Sequence, residues 1–301
     1  MGHIITDLKE NFKRGNIYIQ LIYINGGVFI FTSLLLVFLR LFNRSGANIL
    51  LYAEMPASLQ SFMYQPWSIF TYMFMHADFL HILFNMLWLY WFGKLFLYFF
   101  SAKHLRGLYI LGGICGAIIY MLSFNLFPYF SDSIEHSYML GASASVLAIV
   151  VATAYREPEY QVRLLLFGAI RLKYIALFMI LSDLLFITSE NAGGHIAHLG
   201  GALAGLWFAA SLKKGHDVTA WINKILDWFV SLFAGNAFKT TKKPKMSVHY
   251  NDSKRNKDYD YNAQKRAQND EVDRILDKLK KSGYESLTTE EKKSLFDASK
   301  R

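Results

Sequence analysis

Cysteine occurs once in the 301 residues, at Cys115 inside an apolar run, which excludes an intrachain disulfide framework and leaves the redox compartment open. Charge is scarce as well: Asp, Glu, Lys and Arg make up 18%, against 53% hydrophobic and 16% aromatic residues, and the mean hydropathy is positive. That balance leans away from soluble globular chains and towards a membrane protein. No small-residue cleavage site follows a short apolar core near the N-terminus, so the first apolar run is expected to be a retained helix and not a signal peptide. No nucleic-acid-binding module signature is present, so the net charge of +9 does not mark a nucleic-acid partner. From Lys213 onward there are 20 Lys/Arg against 13 Asp/Glu. A basic segment directly after a membrane span reports orientation and attraction to anionic lipid.

Long apolar runs dominate from about Ile17 to Leu212. A spanning helix takes roughly 20 mainly apolar residues. Six stretches qualify: about Ile17–Leu39, Phe79–Phe100, Leu105–Phe127, Tyr138–Tyr155, Tyr174–Thr188 and Gly194–Leu212. The fifth is short, and Val162–Ile170 before it either extends it or lies at the interface. Basic residues set the orientation. Lys9, Lys13, Arg14, Lys103, Arg106, Arg156, Arg163, Arg171 and Lys173 fall on one side; Arg40 and Arg44 fall on the other. The positive-inside rule then places both termini in the cytoplasm. Lys94, inside the second span, is close enough to its cytoplasmic end to snorkel.

The first outer connection, from Arg40 to about Asp78, is long and carries Pro56 with the amphipathic pieces Ile49–Tyr52 and Trp67–Met75. A structured functional loop and a membrane-surface cover both fit it. Beyond the six-span unit at 1–214, the segment 215–238 reads as an interfacial helix with an apolar stripe of Trp221, Ile225, Leu226 and Phe229. Residues 239–267 read as a polar linker. Residues 268–301 read as a small helical hairpin: Val272, Ile275, Leu276 and Leu279 recur at helical spacing, Gly283 ends that helix, and Thr288 with Glu291 forms a capping-box pattern.

Three polar groupings lie where lipid would exclude them. His81 and Asn85 are four residues apart in the second span and share a face. Ser143 lies in the small-residue run Gly141-Ala-Ser-Ala-Ser145 at the start of the fourth. His198 opens the sixth, in His195-Ile-Ala-His-Leu-Gly-Gly201. These spans run from outside inward, so the three groupings share a depth near the outer face. Taken singly each has a plain structural reading: a small-residue run packs helices closely, and a lone His or an i, i+4 polar pair bonds neighbouring helices. Together they match acyl-transfer chemistry. A serine at a helix start has free backbone N–H groups beside it, as an oxyanion site needs. A histidine at the same depth can take its proton, and His81 and Asn85 can add donors.

The stretches His81-Ile-Leu-Phe-Asn85-Met-Leu-Trp88, Gly141-Ala-Ser143 and Ala197-His198-Leu-Gly-Gly201 resemble the signature motifs of the rhomboid family, in family order. Gln65-Pro-Trp67 also resembles bacterial rhomboids, and the likeness runs from about Ile17 to Lys214. It implies an all-α membrane protein, a six-helix bundle with a small cytoplasmic tail, acting as an intramembrane serine endopeptidase on transmembrane protein substrates in the bilayer. It implies Ser143 as nucleophile and His198 as general base, with the Ser143 backbone N–H, His81 and Asn85 on the oxyanion. It implies no metal and no cofactor. Gly201 and Gly205 form a small face that would bring the sixth helix against the fourth. A catalytically silent rhomboid relative that binds membrane clients is the alternative; such relatives usually lose the serine or histidine, and this chain keeps both. The hairpin at the C-terminus is similar to tails of rhomboids from Bacteroidetes-like bacteria, and the sequence names no partner for it.

Departures from the family pattern are Ala144 in place of a glycine, Leu147 in place of an aromatic, and Leu97–Tyr98 where an acidic residue usually follows Gly93. His195, His198, His76 and His81 lack the acidic residue of an H-E-x-x-H arrangement, which argues against zinc. A small transporter would show an internal repeat or broken spans, and neither is visible. Asp183, in the fifth span, reads either as a proton-handling group or as the partner of a nearby donor. Cys115 with Gly112, Gly113 and Gly116 reads as helix packing.

Overall fold

The long apolar runs fold as helices because nothing inside them competes with the helical backbone and each end carries a stop. The computed structural model describes residues 12, 15–44, 47–164, 168–233, 273–281, 283 and 286–293. Helix α1, Ile17–Leu41, carries no charge before Arg40 and ends just ahead of Asn43, whose φ of 52° is one that asparagine tolerates. Short helices follow in the connection between α1 and the next long helix: α2 (Ala47–Leu51), α3 (Leu59–Tyr64) and α4 (Ser68–Thr71), with strand β1 (Met55–Pro56) between the first two. Helix α5, Phe79–Phe99, starts where the Asp78 side chain accepts the His81 N–H at 2.9 Å. Helix α6, Ala102–Leu126, begins on a reciprocal Ser101–His104 capping box. Strand β2 (Tyr138–Met139), helix α7 (Ser143–Arg156), strands β3 (Gln161–Leu164) and β4 (Gly168–Arg171), α8 (Leu172–Leu185), α9 (Ala192–Lys213) and α10 (Ala220–Phe233) complete this unit.

Four of these, α1, α5, α6 and α9, are long and apolar enough to cross a membrane. Helix α7 is shorter at 14 residues, about 21 Å of helix against a hydrocarbon core of about 30 Å. It is almost wholly buried, from Ala144 to Ala154, so protein and not lipid surrounds it. Helix α9 makes its two most extensive contacts with α6 and α7. The contact with α7 is close because Gly201 and Gly205 lack side chains. A Cβ on Gly201 would lie 2.1 Å from the Ala144 carbonyl oxygen, and one on Gly205 would lie 2.4 Å from that of Ala148.

Two expectations need correction. The fourth apolar stretch was expected to be helical from Tyr138, yet Tyr138 and Met139 are extended and pair antiparallel with Pro56 and Met55; the helix starts only at Ser143. Of its two readings, Val162–Ile170 does not extend the fifth helix, which starts only at Leu172. It contributes to an antiparallel hairpin in which Val162 faces Ile170, with Gly168 at a φ of +72°. β-Branched residues flanking a positive-φ glycine favour that pairing. The fold is therefore predominantly helical with two minimal two-stranded ladders.

The connection between α1 and α5 is held by side chains on backbone carbonyls. Gln65 Nε2 donates to the Leu51 and Glu54 carbonyls, Trp67 Nε1 to Tyr52 at 2.8 Å, and Thr71 Oγ1 to Ala53 at 2.7 Å. Burial pushes the Glu54 carboxyl above the usual carboxylate range. Beneath it, Asn25 of α1 donates to the Tyr109 hydroxyl, which donates to the Met73 carbonyl at 2.9 Å. Asn25 and Tyr109 are thus satisfied while they join α1 and the loop to α6.

Helix α10 docks on the start of α6 through Arg106, whose guanidinium donates to Asn223 Oδ1 and Asp227 Oδ1; Lys103 also reaches Asp227. The Arg106 hydrogen bond holds the Asp227 carboxyl below its ordinary range. Trp221, Ile225 and Phe229 stay exposed on its other side. A compact unit ends at Gly235 and a second begins at Asn236. In the second, residues 273–281 and 289–293 are helical, Gly283 has a φ of +75°, and Thr288 and Glu291 cap each other reciprocally. The linker expected at 239–267 lies outside the described residues, as does part of 268–301.

Candidate active site

Ser143 is the first residue of α7, where helical geometry leaves backbone N–H groups without intrahelical acceptors. The turn into it runs through Gly141, whose N–H donates to the Tyr72 carbonyl at 3.0 Å and whose φ is +133°, a conformation only glycine adopts readily. The missing side chain has a second use. A Cβ there would lie 2.9 Å from His81 Nε2 and 3.6 Å from Ser143 Oγ, so the imidazole and the hydroxyl flank the bare glycine. Ala144 is helical, so no glycine is required at that departure from the family pattern. Ser145 is fully buried, and its Oγ lies 3.0 Å from a Cβ built on Gly113, away from the cavity.

His81 Nδ1 accepts a long hydrogen bond of 3.5 Å from the Ala77 N–H. In the neutral ring that leaves the proton on Nε2, the nitrogen beside Gly141. Asn85, one turn on, donates from Nδ2 to the His81 carbonyl at 3.0 Å. It is nearly buried on the same cavity wall. Below them His76 is buried with neither ring nitrogen partnered among the described residues, and its ring meets that of His81 edge-on at 5.0 Å. Burial foremost, then the neighbouring His81, pulls His76 down to about 4, so it is uncharged near neutral pH.

His198 lies in the second turn of α9 and lines the same cavity, about 780 Å³ in volume, as Ser143, His81 and Asn85. The four predicted site residues therefore meet in one space, although no hydrogen bond joins Ser143 to His198 among the described residues. Nδ1 of His198 instead lies 2.8 Å from Asp183 Oδ1, and Nδ1 of His195 lies 2.8 Å from the same oxygen. Asp183 is 6% exposed. Of the two sequence readings of Asp183, partnership with a donor is the arrangement observed. The partners themselves were not legible, because nothing in the spacing links residue 183 to 195 or 198. The His198 ring meets the His195 ring edge-on at 6.1 Å.

Asp183, His195 and His198 are also the described residues whose ligand atoms, within 4.8 Å of one another, could converge on an ion. Zinc would sit at about 2.0–2.2 Å from such atoms. Here the two nitrogens are at hydrogen-bond distance from a shared oxygen, which already engages all three. A second cavity of about 740 Å³ is lined by Ser101, His104, Arg156 and Lys213; there Ser101 and His104 are engaged as the capping box of α6.

Residues 64–215 match the family model of the Rhomboid domain, half of the chain. The chain belongs to the rhomboid family. A curated relative, RHOMBOID-like protein 12, mitochondrial, of Arabidopsis thaliana, is 29% identical over 157 residues, which cover 49% of this chain and 47% of that protein. The chain thus spans about half the length of that relative. Residues 250–301 match a second model, a family of unknown function (DUF6576). Family membership and the apolar helices together make this rhomboid a multi-pass membrane protein. Its matched region holds α4 to α9, and with them Ser143, His198, His81 and Asn85.

Proposed function

We propose that this rhomboid is an intramembrane serine endopeptidase that cleaves transmembrane segments of membrane proteins near the outer face of a cytoplasmic membrane. The observation that carries the reading is the convergence of Ser143, at a helix start, with His198, His81 and Asn85 on one cavity. His198 Nε2 takes the Ser143 hydroxyl proton as Oγ bonds to the scissile carbonyl carbon. The oxygen, now an anion, is met by the Ser143 backbone N–H and by His81 Nε2–H and Asn85 Nδ2–H. Collapse breaks the C–N bond, and the proton on His198 goes to the leaving amine. Water, deprotonated by His198, then hydrolyses the acyl-enzyme and returns Ser143 to its hydroxyl form. No step calls for a metal or cofactor.

Helices α7 and α8 complete six crossings in this reading, with both termini cytoplasmic, and α7 is shielded by its neighbours. Gly201 and Gly205 serve the chemistry by holding α9, which carries His198, against α7, which carries Ser143. Purified protein in detergent should cleave a model transmembrane substrate. Ser143→Ala and His198→Ala should each abolish turnover while the protein stays folded, since nucleophile and base act as a unit and their losses do not add. Undiminished cleavage by folded Ser143→Ala protein would overturn the reading.

A further inference from the structure

The mechanism above leaves Asp183, a buried ionisable group, without a task. Asp183 sits in an otherwise apolar stretch of α8, Leu172–Leu185, where a carboxylate is costly and calls for a partner. Its Oδ1 receives Nδ1 of both His198 and His195 at 2.8 Å. The two histidines are three residues apart on α9, so they share a face and close on that oxygen from one helix. Resting on the protease reading, we propose that Asp183 is a positioning residue for the general base, fixing His198 as the Nδ1–H tautomer through a hydrogen bond that His195 shares.

A carboxylate can only accept hydrogen bonds, so the nitrogen facing it must carry the proton. That leaves the lone pair of His198 on Nε2, the only ring nitrogen able to take a proton from Ser143. The same contact stops the ring from turning over. It also places a negative oxygen 2.8 Å from the imidazolium that forms when Nε2 accepts the serine proton. The proton stays on His198; Asp183 orients and stabilises without being protonated, as the aspartate of soluble serine proteases does. His195 supplies a second donor to the same oxygen and so helps hold the carboxylate's rotamer. A purely structural tie between α8 and α9 would also account for the contacts and fix the same wild-type tautomer, but it makes no demand on kcat in folded Asp183→Asn protein.

Nitrogen-15 NMR of histidine-labelled protein, with the His198 signals assigned by a His198→Gln variant, reads the tautomer directly. In the wild-type protein and in Ser143→Ala, His198 should be the Nδ1–H tautomer. Asp183→Asn, nearly isosteric, presents a side chain that can donate as well as accept; the tautomer should become mixed or reversed. Its kcat should fall by about 10²-fold or more with KM changed less than about 2-fold, by analogy with the soluble triad. His195→Ala should keep the Nδ1–H tautomer, because the carboxylate remains. A wild-type His198 protonated on Nε2 overturns the proposal, whether or not Asp183→Asn folds. So does folded Asp183→Asn protein with an unchanged tautomer or an unchanged kcat. The two readings fail separately: cleavage surviving Ser143→Ala sinks the protease assignment, whereas a wrong tautomer sinks only the role of Asp183.

Discussion

Helices α1 and α7 show two ways a membrane protein uses an apolar sequence. Helix α1 is 25 residues long and exposes Ile30, Phe31, Leu34, Val37 and Phe38 along one flank. Its apolar surface answers to lipid, and it is tied inward by Tyr18 against Gly93 and by Asn25 on Tyr109. Helix α7 is 14 residues long, and its residues from Ala144 to Ala154 are buried. Its composition answers to its neighbours: Ala144 and Ala148 are small so that Gly201 and Gly205 can reach their carbonyls. Lipid is as apolar as leucine, so side chains facing it add little to helix association, whereas close backbone packing is what holds such a bundle together. The proposed nucleophile sits on the sheathed helix, where position is over-determined, and not on the peripheral one.

Substitutions on the two helices should therefore differ widely in effect. The largest is expected at the α7–α9 contact. Gly201→Ala adds a single Cβ, yet it would sit 2.1 Å from a backbone oxygen that cannot rotate away. Overpacking there should cost about 1–3 kcal/mol or more, read as a lower midpoint in thermal unfolding in detergent, with cleavage falling in parallel. Unchanged stability and activity would mean the two helices are not so tightly joined. Asn85→Ala, on the cavity wall, is expected to leave unfolding unchanged and to lower kcat by about 10²-fold, the scale of losing one oxyanion donor. A larger effect on KM than on kcat would instead make Asn85 a substrate-binding group. Least of all should come from α1: Leu34→Ala, at a side chain 64% exposed, should shift stability by under about 0.5 kcal/mol and leave cleavage unchanged. A loss comparable to Gly201→Ala would erase the distinction between the two helices.

The same contrast explains what could be read in the chain beforehand. Ile17–Leu39 was legible to within two residues because a lipid-facing helix must be apolar throughout and end at a charge, here Arg40. The start of α7 was not legible. Tyr138–Leu140 is as apolar as the helix that follows, and what makes residues 138 and 139 extended is pairing with Met55 and Pro56, some 80 residues earlier. The i, i+4 spacing of His81 and Asn85 and the small-residue run around Ser143 pointed to one cavity, because a shared depth follows from the order of the spans. Asp183 stood out as an acid among apolar residues, but its two partners depend on how α8 packs on α9. The hairpin at 161–171 left a trace in Gly168, whose φ is positive, though hydropathy alone left a longer fifth helix and an interfacial segment equally open.

Covalent labelling with a fluorophosphonate probe, followed by peptide mapping, tests the central claim most directly, because it reports an activated serine without any knowledge of the natural substrate. The account predicts one adduct, on Ser143. It should disappear in Ser143→Ala and fall sharply in His198→Ala. It should persist in Ser145→Ala, whose hydroxyl is buried two residues along and faces α6. An adduct on Ser145 in place of Ser143, or labelling that survives Ser143→Ala in folded protein, would contradict it.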